Sequence, residues 1–212
     1  IQHLRCPVGS RVAEPLEAGK YIGIYWINEG RIEDHEQWAL GSNHRLHAEG
    51  RGSYRGHGHD PLEERRHVFT SFSDLLGTNY RDDDVPRVVH TLVQPYRGLV
   101  VQVIDAVDGD RVRLDQWLAE EYLPSVLGGP VAVATRFAPR PLPPDKLSHV
   151  RELDGVEGIV TVLHFLEERP ELVWEERFAD AESQIAAGGV GTLGVQAAFI
   201  PTNHGTNDYT DE

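Results

Sequence analysis

Several residue types are scarce in this sequence, and each shortage narrows the class of protein. The 212 residues include a single cysteine, Cys6, so no disulfide can form within the chain. This cysteine content favours a reducing compartment, and we expect a cytoplasmic protein. No apolar run approaches the roughly 20 residues that a membrane-spanning helix needs, so we expect no membrane partner.

Positive charge is scarce as well. The chain has 34 acidic residues against 20 basic ones and a formal net charge of -14, and its only lysines are Lys20 and Lys146. Because a field of this sign repels a phosphate backbone, we expect no nucleic-acid partner. The 40% of apolar residues and 25% of charged residues are typical of a globular protein that buries a sizeable core.

An internal repeat divides the chain at an offset of 79 residues. Residues 22–26 (Ile-Gly-Ile-Tyr-Trp) align with residues 101–105 (Val-Gln-Val-Ile-Asp). Without a gap, the triplet 36–38 (Glu-Gln-Trp) then aligns with the triplet 115–117 (Asp-Gln-Trp). A strand-like run, an equal spacer and a matching triplet indicate a duplicated unit. We therefore predict units at 20–96 and 97–202, with loose termini at 1–19 and 203–212.

The second unit has a regular pattern of alternating apolar residues and helical spacings. It predicts strands at 99–106, 131–138, 158–166 and 192–200, and helices at 113–127 and 170–187. The resulting order βαββαβ is the split βαβ arrangement of a ferredoxin-like sheet.

The first unit is a less regular copy. It predicts a strand at 21–28, a helix at 32–49, a strand at 67–72, a short helical turn at 72–76 and a closing strand at 87–94. A segment rich in glycine, histidine and arginine, at 50–60, takes the place of its second strand.

The first helix of the second unit carries a more specific pattern. Trp117-Leu-Ala-Glu-Glu-Tyr122-Leu-Pro124 is followed by a glycine turn and by the strand 131–137. This resembles the dimeric α+β barrel superfamily, which includes EthD-like proteins and whose first helix often carries Trp, then Glu-His and Leu-Pro. Tyr122 stands where histidine is usual, and His44 follows Trp38 at nearly the same distance in the first unit.

The resemblance covers about 100 residues and implies an α+β fold. Two fused ferredoxin-like units would build, within one chain, the barrel that single-unit relatives build as dimers. In such a barrel one face of each sheet packs against helices and the other lines a cavity, so alternate residues on a strand face different environments. We expect a monomer or a homodimer of the fused chain.

Polar side chains interrupt apolar strands, and we expect them to converge in a small-molecule pocket. Imidazole exchanges protons near neutral pH, so the candidate acids and bases are His44, His90 and His164. The candidate donors to a developing oxyanion are Arg136, Tyr25 and Tyr122. The candidate substrate contacts are Gln102, Gln196, Gln94, Trp38 and Trp117. Each residue also has an alternative interpretation as a polar group satisfied within the core.

The resemblance implies a cofactor-independent lyase or isomerase that acts on a small aromatic or polyketide-like molecule by proton transfer with elimination, cyclisation or isomerisation. Two alternatives remain open. One is a cofactor-free monooxygenase of the same superfamily, and the other is a non-catalytic small-molecule binding protein.

A histidine-rich segment raises the question of a metal. Its candidate ligands are His44, His47, His57 and His59. Their spacing matches no zinc signature, and no HExxH motif is present. We therefore expect no metal and no other cofactor, and keep these four histidines as the alternative.

Overall fold

The computed structural model describes residues 2–5, 21–50, 68–83, 96–146 and 150–201, which form an α+β arrangement. The strands are β1 (Gln2–Arg5), β2 (Tyr21–Ile24), β3 (Phe72–Tyr80), β4 (Gly98–Ala106), β5 (Val131–Arg140), β6 (Ile159–Leu166) and β7 (Gly191–Pro201). The helices are α1 (Ile32–Ala48), α2 (Arg111–Trp117), α3 (Leu123–Val126), α4 (Pro170–Arg177) and α5 (Ala181–Gly188). A π-helical turn, Leu118–Tyr122, joins α2 to α3.

The strands form an antiparallel sheet centred on β4. Five strands lie in the order β7-β4-β6-β5-β3, and the β1–β2 pair extends the sheet at β7. Within the predicted second unit, the chain order βαββαβ and the spatial order β7-β4-β6-β5 are those of a split βαβ sheet. Strands from the first part of the chain therefore flank both edges of the four strands from the second part.

One face of this sheet, which we call the helix face, packs against α2 to α5. Alternate residues of β4 and β6, including Val100, Ile104 and Val162, are fully buried there against helix residues such as Leu118 and Ile185. Burying one such side chain contributes about 1.5–3 kcal/mol. The helices lie on the sheet because each of them needs this apolar surface.

The opposite face, which we call the inner face, is covered by the first part of the chain. Its buried residues include Leu99, Val101, Val103, Leu163 and Phe165. The described residues that pack against them from outside the second part include Ile22, Ile24, Trp26, Val68, Phe69 and Tyr80. The sheet is therefore apolar on both sides, and each side has its own cover.

Helix α1 is tied to the sheet by an arginine. Arg140 at the end of β5 donates from Nε to Asp74 of β3 at 2.8 Å and from a terminal nitrogen to Glu33 of α1 at 3.2 Å. These bonds join a helix and two strands that come from different parts of the sequence. None of the described helices combines the length and the apolar composition that crossing a membrane requires.

Three predictions for the first part of the chain are wrong. The strand predicted at 67–72 is not formed, since residues 68–71 belong to no strand and β3 begins at Phe72. The short helical turn predicted at 72–76 is part of β3, which pairs with β5 through a bulge between Leu75 and Gly77. The ladder with β5 outweighs the local helical pattern. Residues 2–5, expected to be loose, form β1 because they pair with β2 and with the end of β7.

Two predicted helices are interrupted. The helix expected at 113–127 contains the π turn, and the helix expected at 170–187 is two helices, separated at Phe178, whose ring is fully buried. The predicted closing strand 87–94 and the segment 51–60 lie outside the described residues. The division at 97 stays a prediction.

Two glycines offer a paired test of how tightly the sheet is packed. A Cβ on Gly98 would lie 2.7 Å from Cδ of Pro170 and 2.9 Å from the carbonyl oxygen of Glu168, so we expect Gly98→Ala to destabilise the protein by about 1–3 kcal/mol. A Cβ on Gly41, in α1, would meet no atom within 4 Å, so Gly41→Ala should stabilise by about 0.5–1 kcal/mol. Urea unfolding of both variants measures the two values. A neutral Gly98→Ala would contradict this packing.

Candidate functional site

Four of the predicted site residues form one hydrogen-bonded cluster, which we call the polar cluster. The Gln102 amide nitrogen donates to Gln196 Oε1 at 2.6 Å and to the Tyr122 hydroxyl at 2.9 Å. His164 Nε2 lies 2.8 Å from Gln102 Oε1, and Gln196 donates to the carbonyl oxygen of Phe178 at 3.0 Å. All four side chains are buried between the sheet and the helices. The polar cluster therefore lies on the helix face and not, as expected, in a cavity on the other side of the sheet.

His164 is poorly suited to proton transfer in this position. Because an amide oxygen accepts its Nε2–H, its Nδ1 carries no proton, and that atom is buried with no hydrogen-bond partner among the described residues. Complete burial lowers the pKa of His164 to about 3. The imidazole is consequently neutral at physiological pH and sealed from solvent by the ring of Phe178, whose centroid is 5.2 Å away.

Arg136 serves as a connector between three elements. Its Nε donates to Asp115 of α2 at 2.6 Å, and a terminal nitrogen donates to Asn79 of β3. The Arg136 side chain is only 8% exposed, and the ion pair with Asp115 neutralises its charge. These contacts direct the guanidinium to protein groups rather than to a ligand carboxylate.

Three further candidates lie at the surface. Tyr25 is 47% exposed and Trp38 is 61% exposed, and both contact the ring of His35. His44 is exposed on α1 and its Nε2 lies 3.0 Å from the carbonyl oxygen of Asp145. They do not meet the polar cluster. His90 and Gln94 lie outside the described residues, so their predicted roles stay predictions.

A different set of polar atoms lies on the inner face. The Oγ1 atoms of Thr135 and Thr161 and Nε1 of Trp26 are buried and have no hydrogen-bond partner within the described part of the chain. A buried hydroxyl or N–H without a partner costs about 1–3 kcal/mol, and such groups usually mark a bound water or ligand. Three further atoms of this kind, Nδ1 of His164, Nε1 of Trp174 and Nε of Arg177, lie on the side of the helices.

The strand register places these atoms together. Phe137 pairs with Thr161, and Thr135 pairs with Leu163, so these four side chains form the corners of a square on the inner face. The ring of Trp26 lies 6.2 Å from those of both Phe137 and Phe165. Thr135 and Leu163 form the cross-strand pair that lies between the pair containing Phe137 and the pair containing Phe165. Since Trp26 is equally far from both phenylalanine rings, it lies over the pair Thr135–Leu163.

Aromatic side chains surround this square. Tyr96 contacts Phe165 at 5.0 Å between ring centroids, and burial raises the pKa of Tyr96 to about 12, so its hydroxyl stays protonated. Phe137, Trp26 and Thr161 are only partly buried. In the described part of the chain, the inner face is thus an aromatic surface with a few hydrogen-bonding groups, a composition common in small-molecule sites.

A second depression lies on the outer side of the helices. A groove of about 480 Å³ between the π turn and α5 is lined by residues that include Trp117, Tyr122, Arg177 and Gln184. Trp117 stacks on Tyr122 with 5.6 Å between ring centroids, and Arg177 pairs with Glu176 at 3.0 Å. The groove is open to solvent. The predicted substrate contact of Trp117 stays a prediction.

The metal alternative finds no support in the described part of the chain. There, no three histidine, cysteine or acidic side chains lie close enough together to hold a metal ion. His57 and His59 lie outside the described residues, as does the side chain of His47. The expectation of no metal therefore stays a prediction, as does the alternative of a metal at these histidines.

Comparison with known proteins adds no assignment. No family model matches the sequence, and neither a curated protein nor a solved structure matches it.

Sequence reasoning found the alternation of β6 but not the meaning of its two faces. Ile159, Leu163 and Phe165 belong to the inner core, and the ladder with β4 places Thr161 beside them and His164 on the helix face. The histidine directed the prediction to the face that packs against the helices. The signal for the inner face was Thr161 among apolar neighbours, a weaker signal because threonine is common in strands.

The low pKa of His164 predicts a specific pH dependence of stability. The unfolded imidazole binds a proton below its ordinary pKa near 6.5, whereas the folded one does not until about pH 3. The contribution of His164 to the free energy of unfolding is therefore fully present above pH 6.5. It falls by about 1.4 kcal/mol per pH unit as the pH decreases from 6.5 towards 3.

Unfolding by urea between pH 7.5 and 5 measures this loss. We expect His164→Gln, which keeps a donor towards Gln102, to remove most of the loss over that range. His44→Gln, at an exposed histidine, should leave it unchanged. Equal pH dependence in the wild type and in His164→Gln would contradict the buried, neutral imidazole.

Proposed function

We propose that this protein binds a small, planar organic molecule between the inner face of its sheet and the first part of the chain. The observation that carries the proposal is a set of three buried polar atoms, on Trp26, Thr135 and Thr161, that lie within an aromatic surface and have no hydrogen-bond partner among the described residues. A flat molecule with a carbonyl or hydroxyl oxygen would fill the space over the aromatic rings and accept the free hydrogen bonds.

We further propose that the two parts of the chain form a tandem α+β barrel of the dimeric type. Three facts support it. All the helices of the second part lie on one face of its sheet, the first part supplies the residues that cover the other face, and strands from the first part occupy both edges. In this barrel the inner face lines the interior.

Binding is supported better than the expected histidine-driven lyase or isomerase. His164 lies on the helix face with its pKa lowered to about 3, and Arg136 is engaged by Asp115 and Asn79. Both residues serve the fold in these positions. The monooxygenase alternative gains no specific observation from the inner face.

The proposal is tested by a double variant, Thr135→Val with Thr161→Val, and by titration calorimetry with 2-tetralone, a two-ring aromatic ketone. Valine keeps the shape of threonine but removes the hydroxyl. We expect the double variant to bind 2-tetralone about tenfold more weakly, because two hydrogen bonds to the ketone oxygen are lost. Without ligand it should be more stable than the wild type, by about 1 kcal/mol per removed hydroxyl, since an unpartnered buried group disappears.

Gln184→Ala provides the control, because Gln184 is exposed and lines the outer groove. We expect it to leave affinity unchanged. Saturable binding that responds to Gln184→Ala and not to the threonine variants would place the ligand in the outer groove. That result, or no binding to the wild type, would contradict the proposal.

A further inference from the structure

A carboxylate lies at the edge of the inner face. Residues 99, 101 and 103 of β4 belong to the inner core, and the ladder between β4 and β6 continues without a shift to Asp105, which pairs with Ile159. Asp105 therefore points to the same side as Val103 and Thr161. It is exposed, in contrast to the buried part of β4 that precedes it.

Asp105 continues a diagonal row of polar residues across three neighbouring strands. Thr135 on β5 is diagonal to Thr161 on β6, since Thr161 pairs with Phe137. Thr161 also pairs with Val103 of β4, so Asp105 is diagonal to Thr161 in the same direction. Diagonal neighbours lie about 7–8 Å apart, so a two-ring molecule spans one such step.

The backbone next to Asp105 is shaped around its carboxyl group. The ladder between β4 and β7 contains a bulge, where Val103 pairs with Val195 and Ile104 pairs with Leu193. The extra residue is Gly194, and a Cβ there would lie 2.7 Å from Oδ2 of Asp105. Bulges often redirect a side chain beside an active site. Any other residue at position 194 would displace the carboxylate.

The carboxylate of Asp105 makes no hydrogen bond or ion pair with the described residues, unlike the carboxylates of Asp74 and Asp115, which accept from arginines. Partial burial raises the pKa of Asp105 above its ordinary value. An unpaired carboxylate with a raised pKa is a stronger base than a solvated one and remains accessible to a ligand.

We propose that Asp105 is the catalytic base of a cofactor-independent proton transfer on the molecule bound at the inner face, an inference that rests on the proposed function. The substrate class is a planar ketone with a C–H bond next to its carbonyl group. Asp105 removes that proton, the C–H electron pair forms the carbon–carbon double bond of an enolate, and the carbonyl π pair moves to oxygen. The hydroxyl of Thr161 donates to this oxygen, and protonated Asp105 returns the proton to carbon. No oxidant or reductant is consumed.

The test measures proton exchange of 2-tetralone in D2O by proton NMR, with the affinity of the same ketone measured by calorimetry. We expect the wild type to accelerate loss of the α-proton signal over buffer. In Asp105→Asn the protein-dependent exchange rate should be at least tenfold lower than in the wild type, because a positioned base accelerates proton transfer by about 10²–10⁴-fold. Its affinity for 2-tetralone should stay within about threefold of the wild type. The control is Asp108→Asn, which removes an equal charge at the same end of β4, at a left-handed position (φ 56°) that asparagine tolerates.

The outcomes separate this inference from the proposed function. If the wild type binds 2-tetralone without accelerating exchange, or if Asp105→Asn is as active as the wild type, the inference is wrong and the binding function stands. If the wild type does not bind the ketone, both fail. If Asp105→Asn melts at the same temperature as the wild type, its slower exchange is not caused by unfolding. If it melts at a lower temperature, the exchange measurement is repeated with Asp105→Ser.

Discussion

The central strand β4 is buried on both faces and paired on both edges, and the rest of the structure follows from that constraint. Val100 and Ile104 need an apolar cover on one side, and Val101 and Val103 need one on the other. The helices of the second part of the chain can supply only the first of these covers. The first part of the chain supplies the other cover, so both parts are needed to bury the two faces of β4.

Both faces contain buried polar atoms that have no partner among the described residues. They belong to Trp26, Thr135 and Thr161 on the inner side and to His164, Trp174 and Arg177 on the helix side. On the helix face, Gln102 bonds to Gln196, Tyr122 and His164, so nearly all their hydrogen-bonding groups are satisfied and the cluster fixes the helices on the sheet. Gln196 also holds the carbonyl oxygen of Phe178, where the last two helices separate. On the inner face, the hydroxyls of Thr135 and Thr161 have no hydrogen-bond partner in the described part of the chain. A satisfied network is typical of structure, whereas unsatisfied groups on an aromatic surface are typical of a binding site.

The sequence was sufficient to predict the strands and helices of the second part of the chain. It was not sufficient to predict the environment of each side chain. Alternation located β4, β6 and β7 to within about a residue at each end, because both faces of these strands are apolar and flanked by turns. The same double apolar pattern concealed which face would meet the helices, and a histidine on β6 made the helix face look functional. β3 resembled a helical turn because Phe72, Leu75 and Leu76 have helical spacing, and only its pairing with the distant β5 makes it a strand. Asp105 gave no signal of its own, since its environment depends on the bulge at Gly194 in another strand.

The central claim is that a ligand occupies the inner face rather than the helix side. The most direct measurement is an isotope-edited NOE experiment on protein labelled at its threonine methyl groups and its tryptophan rings and mixed with 2-tetralone. The account predicts intermolecular NOEs between the ketone and the methyl groups of Thr135 and Thr161. The opposite result is the absence of those NOEs together with NOEs to the ring protons of Trp117, which would place the ligand in the outer groove and contradict the account.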